Sequence, residues 1–280
     1  MSKIALVTGS NTGIGKATAE ELSKAGLRVI MICRNKEQGE QARKEIIKNT
    51  GNDKVRLYIG DLSSISSIKN VVEEIKKDYQ YLDILINNAG VVMQKRTLTE
   101  DGLEYQFAVN YLSQFLLINL LFDLLFKSLS ARIINVSSQT YISADIDFND
   151  LQSEKRYHPT GVYSNTKMMV IWLTYYLAER LKNSNITINC LHPGVIATNL
   201  LKDYRGIPRT SGTASNKNIK EGSETSIYLA LSDEIKEITG KYFVDKRESR
   251  TSAESYDLNK AKKLWEISLK LTGIEDNIPS

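Results

Sequence analysis

Six short apolar runs punctuate the first two thirds of the chain: "KIALV" from Lys3, "RVIMI" from Arg28, "VRLYI" from Val55, "DILIN" from Asp83, "ARIINV" from Ala131 and "ITINCL" from Ile186. Each is rich in β-branched residues and nearly continuous in hydrophobicity, as strands buried on both faces are. Between them lie "KATAEELSKAG", "KEQGEQARKEIIKN", "SSIKNVVEEIKKDY" and two longer stretches, Leu103 to Lys127 and Val162 to Asn183, all of helix-forming composition. Strand alternating with helix predicts a parallel sheet with right-handed crossovers and helices on both faces, a doubly wound α/β fold. A seventh strand near "GKYFV" and a helical tail near "AKKLWEISLKLTG" complete the pattern. No repeat or second domain is apparent, so residues 1–280 read as a single domain.

One segment departs from the alternation. Residues 200–221 hold "YRGIPRTSGTASNKNIKE", too long and polar for a plain connection, and read as a substrate lid or a disordered loop. In open sheets of this kind ligands bind outside the carboxyl ends of the strands, which is where chemistry is sought.

Composition narrows the function classes. The 280 residues are 41% hydrophobic and 25% charged with four prolines, as in an ordinary folded domain. The net charge of +4 is spread over 37 basic and 33 acidic residues without a block of either sign, which argues against a nucleic-acid partner. Cys33 and Cys190 lie inside apolar runs, where a small buried hydrophobe is expected, and a single possible pair makes no disulfide framework. The apolar part of "MSKIALVTGS" is too short for a signal core, and Phe115 to Phe126 is interrupted by Asn119 and Asp123. These readings together predict a soluble, cytoplasmic protein without a membrane span.

The first candidate chemistry follows the first strand, where "TGSNTGIGK" sets Gly9, Gly13 and Gly15 at the start of a helix. Glycines permit a tight turn and close backbone approach, and the free N–H groups of a helix start favour a pyrophosphate. The spacing is G-x-x-x-G-x-G rather than the usual G-x-G-x-x-G. With "NNAG" at Asn87 to Gly90, then "GDLSS", "VNYLSQF", "INVSS", "YSNTK" and "HPGVIAT" in order, the sequence resembles the short-chain dehydrogenase/reductase family from about Ser2 to Thr198. The resemblance implies a Rossmann fold with a mainly parallel seven-stranded sheet and a nicotinamide cofactor.

At the cofactor end the resemblance assigns Gly9, Ser10, Asn11, Thr12, Gly13, Ile14 and Gly15 to the phosphate loop. It places Asp61 and Leu62 at the adenine, Asn88, Ala89 and Gly90 along the adenosine side, and Pro193, Gly194, Val195 and Thr198 about the nicotinamide. The second strand ends "MICRN" without the carboxylate that binds a ribose 2′-hydroxyl in NAD sites. Arg34 offers a planar cation to a 2′-phosphate instead, with Lys16 nearby, so NADP(H) is the expected cofactor.

At the chemistry end, Tyr163 and Lys167 of "YSNTK" stand four apart and share a helix face. That spacing alone is ordinary. In the family's pattern, however, the tyrosine exchanges the proton, and the lysine lowers its pKa and binds the nicotinamide ribose. Reduction of a carbonyl needs such a donor. The same pattern gives Ser138, rather than Ser137, the substrate oxygen and gives Asn110 a water in a proton relay. His192 and His158 have no such role, and no metal site is expected.

"DFNDLQSEKRY" at Asp147 to Tyr157 and the C-terminal tail resemble the retinol dehydrogenase group. That likeness implies reduction of an aldehyde or ketone, retinal-like or otherwise, with entry between Tyr111, Tyr141 and the lid. Three alternatives stay open at this point: an NAD-dependent alcohol dehydrogenase, a nucleotide-binding sensor and a scaffold without turnover. The long helices from Leu103 and Val162 resemble those through which family members pair as homodimers, although packing on their own sheet would satisfy them equally.

Overall fold

The computed structural model describes residues 2–195 and 218–279. The chain runs β1 (Ile4–Thr8), α1 (Gly13–Lys24), β2 (Arg28–Cys33), α2 (Lys36–Thr50), β3 (Val55–Ile59), α3 (Ile65–Asp78) and β4 (Ile84–Asn87). It continues with α4 (Tyr105–Phe107), a π-helical stretch (Ala108–Leu112), α5 (Ser113–Leu120), α6 (Phe122–Phe126), β5 (Ala131–Val136), α7 (Pro159–Arg180) and β6 (Ile186–His192). After the undescribed segment come α8 (Ile219–Leu231), β7 (Tyr242–Val244), β8 (Arg247–Ser249) and α9 (Leu258–Thr272).

The strands form one sheet in the order β3-β2-β1-β4-β5-β6-β7-β8, parallel except for the last pair. The order reverses direction between β1 and β4, which opens the ligand crevice at their carboxyl ends. Apolar cores lie on both faces of the sheet, one under α3, α5, α7 and α9 and one under α1, α2 and α8. Thus β1, β4 and β5 are buried along their whole length, which explains their unbroken hydrophobicity.

Three expectations need correction. The sheet has eight strands rather than seven: "RES" pairs antiparallel with β7, and a short polar edge strand carries no apolar signal. At the other edge, β3 is not buried on both faces, since Arg56 and Ile59 are exposed. The expected lid at 200–221 lies outside the described residues up to 217, and 218–221 already form the start of α8, closed by a capping box between Asn218 and Glu221. Helix α9 packs against α7 and against Tyr111 and Phe115. Phe115 meets Trp265 edge to face with ring centroids 4.7 Å apart, and the Tyr111 and Ser268 hydroxyls are bonded at 2.8 Å. Arg180 then clasps the tail through Asp276 at 2.8 and 3.0 Å while lying over the Trp265 ring. Among the described residues no helix is long and apolar enough to cross a membrane.

Candidate active site

The loop from β1 into α1 is shaped by contacts that exclude side chains. Gly9 has φ +64°, and a Cβ on Gly15 would lie 2.4 Å from both the Gly9 carbonyl oxygen and Asn88 Nδ2. Ser10 turns inward, its hydroxyl donating to the Val7 carbonyl at 3.0 Å, and Asn11 Nδ2 donates to Gln38 at 3.0 Å. Helix α1 then starts after Thr12, which makes no side-chain cap, whereas α2, α3, α8 and α9 are capped by Asn35, Ser64, Asn218 and Asp257. An uncapped start beside glycines that leave room for backbone approach fits a pyrophosphate.

Thr8, which sequence reasoning passed over, joins this loop to the one after β4. Its buried hydroxyl accepts the N–H groups of Asn88 at 2.9 Å and Ala89 at 3.0 Å, and its carbonyl accepts Asn88 Nδ2 at 2.9 Å. The only available signal was its position directly before Gly9.

Arg34, exposed at the end of β2, donates to the hydroxyl of Tyr105 and makes no ion pair with any described residue. Lys16 is different: its ammonium is paired with Glu45, so the charge expected to help at the cofactor is already partnered. Asp61 lines an open polar recess with Ser63, Ser67 and Tyr105, and its carboxylate accepts the Ser63 N–H at 2.9 Å and hydroxyl at 2.7 Å. Leu62 is buried in the core beneath.

Ser138, Tyr163 and Lys167 come together beyond β5. Lys167, only 2% exposed, donates to the Val136 carbonyl at 2.9 Å and lies 5.3 Å from the centre of the Tyr163 ring. Its backbone carbonyl accepts the Ser137 hydroxyl at 2.8 Å, which turns Ser137 inward and leaves Ser138 beside the tyrosine. Burial lowers the Lys167 pKa to about 8. It raises that of Tyr163 to about 12, with the Ser138 hydroxyl pulling part of the way back. The expected lowering of the tyrosine by the lysine is therefore absent from the protein alone, because desolvation dominates.

Asn110 sits in the π-helical stretch, fully buried. Its side chain accepts the Val91 N–H at 2.7 Å and donates to the Val91 carbonyl at 3.0 Å and Thr166 at 3.2 Å, tying the loop after β4 to α7. A Cβ on Gly90 would stand 3.5 Å from Asn110 Oδ1 and 3.7 Å from Lys167 Nζ, so the glycine keeps open the space above the ammonium. Pro193, Gly194 and Val195 follow directly on β6, with Gly194 at φ +93°, while Thr198 lies outside the described residues. His158 caps α7, accepting the Gly161 N–H at 3.3 Å, and no group of residues suited to a metal occurs among those described.

Tyr111 and Tyr141 do not flank an entrance. Both are buried, the first against α9 and the second with its ring 5.5 Å from that of Tyr242. Ile142, on the short turn Gln139–Ser143 that follows Ser138, is exposed.

Comparison with known proteins agrees with this geometry. The family model for short chain dehydrogenases matches residues 3–206. Retinol dehydrogenase 14 of Mus musculus is 40% identical over 289 residues, covering 97% of this chain and 86% of its own. Polyprenol dehydrogenase of Homo sapiens is 36% identical over 284 residues, covering 98% and 86%. A crystal structure of an uncharacterized protein from Mycobacterium paratuberculosis superposes with a TM-score of 0.81 at 28% identity, covering 99% of this chain and 95% of that one.

Proposed function

This chain belongs to the short chain dehydrogenase family, and we propose that within it the protein is an NADP(H)-dependent reductase of aldehydes or ketones with Tyr163 as proton donor. It is a retinol dehydrogenase-like oxidoreductase that interconverts alcohols and carbonyls with a nicotinamide cofactor, which supplies the hydride when bound. The observation that carries the finer reading is the grouping of Ser138, Tyr163 and the buried Lys167 beyond β5.

The glycine loop and the uncapped start of α1 would hold the pyrophosphate, Arg34 the 2′-phosphate, Asp61 the adenine and Lys167 the nicotinamide ribose. Ser138 would hold the substrate oxygen by hydrogen bond, and Tyr163 would deliver its proton as negative charge grows there. Asn110 would keep the floor of the site in register by holding Val91. Two similar proteins are named for lipid alcohols, retinol and polyprenol, which supports a substrate with an apolar body.

The test is to titrate the purified protein with NADPH and NADH, then follow the reduced-nicotinamide absorbance over a panel of aldehydes and ketones that includes retinal. Selective NADPH binding with oxidation by members of the panel is expected. Tight binding with no turnover would favour a sensor or scaffold, and preference for NADH would overturn the cofactor assignment.

A further inference from the structure

The Arg34 guanidinium meets a residue 71 positions away, on the far side of the recess that holds Asp61. Tyr105 is held firmly there. Its backbone N–H donates to the Thr97 carbonyl at 2.9 Å, Leu98 pairs with Glu104 in an isolated bridge, and the Glu104 carboxylate caps the helix that Tyr105 begins by accepting the Phe107 N–H at 2.6 Å. Arg34 is placed as firmly, between the last residue of β2 and Asn35, the N-cap of α2.

The donors and acceptors at this contact remain incompletely used. A guanidinium carries five N–H donors, and Tyr105 takes one of them; no described carboxylate is in ion-pair reach of the rest. The phenol oxygen accepts from Arg34, so its own O–H remains a donor, and no described residue accepts it. A guanidinium and a hydroxyl bonded to each other, both with free donors, match an oxyanion with several acceptor oxygens.

We propose that Tyr105 reads the cofactor's 2′-phosphate together with Arg34, the two forming a clasp across the adenosine end of the crevice. This rests on the NADP(H) reading above. Tyr105 donates its O–H to one phosphate oxygen and, by accepting from Arg34, keeps the guanidinium turned toward the others. A ribose 2′-hydroxyl has neither the charge nor the oxygens to engage both.

Calorimetric affinities of NADPH and NADH for the unaltered protein, Tyr105→Phe, Arg34→Ala and the double variant test the clasp. Loss of a hydrogen bond to a charged group is expected to lower the NADPH-to-NADH affinity ratio about tenfold or more in Tyr105→Phe. In the Arg34→Ala background the same change is expected to matter less than about twofold, because groups that act together are not additive. If Tyr105→Phe weakens NADPH and NADH equally, or neither, the clasp is wrong while an Arg34→Ala loss confined to NADPH would keep the cofactor reading. A protein that binds both nucleotides equally before any substitution would overturn both.

Discussion

Lys167 is the residue on which burial acts most directly against charge. Its ammonium is held by one carbonyl in a site that is almost closed to water, and its pKa falls from 10.5 to about 8. Below about pH 8 the folded protein carries this buried charge at full cost. Between about 8 and 10.5 the folded site releases its proton while the unfolded chain keeps one, so stability rises with pH across that window. Denaturant unfolding of the protein and of Lys167→Met over this range is expected to show their difference moving in favour of lysine, by on the order of 3 kcal/mol. A flat difference would mean that the ammonium is better solvated than its surroundings indicate. Side chains of this kind are legible from the sequence only in part. The spacing of Tyr163 and Lys167 put them on one face, but the rise in the tyrosine's pKa comes from packing that no local pattern records. Thr8 and Tyr105 were invisible for the same reason: their partners lie 80 and 71 positions away.

The elements were far more legible than the contacts between them. Buried parallel strands impose unbroken apolar runs, and the β3 and β5 runs were read with their observed limits. What escaped were β8, too short and polar to stand out, and the π-helical turn at Asn110, which arises inside an otherwise continuous helical pattern. The loop from β1 to α1 carries its own prediction. An alanine at Gly15 would drive a methyl group into the Gly9 backbone carbonyl and Asn88, both fixed by neighbouring hydrogen bonds. Gly15→Ala is expected to weaken NADPH and NADH alike by at least about tenfold, roughly 1.4 kcal/mol, as read by fluorescence titration, with the circular dichroism of the folded chain retained. Undiminished affinity would show that the loop does not approach the nucleotide closely.

At the scale of the whole molecule, two sheet faces carry different duties. One supports the glycine loop through α1; the other positions Tyr163 and Lys167 on α7, which is braced from outside by α9 and the Arg180 clasp. The C-terminal helix thus covers part of α7, a consequence of tertiary packing that the apolar content of α7 did not disclose. The proposed function then joins the glycine loop after β1 to the Ser138, Tyr163 and Lys167 group beyond β5 in one reductase site. Replacing Tyr163 with Phe tests it most directly, with NADPH affinity and carbonyl-dependent NADPH oxidation measured on the same preparation. The account predicts turnover lower by about a hundredfold or more, the usual scale for a lost general acid, with NADPH affinity within about twofold, since the ring is kept. Turnover that survives the loss of the phenol would contradict it.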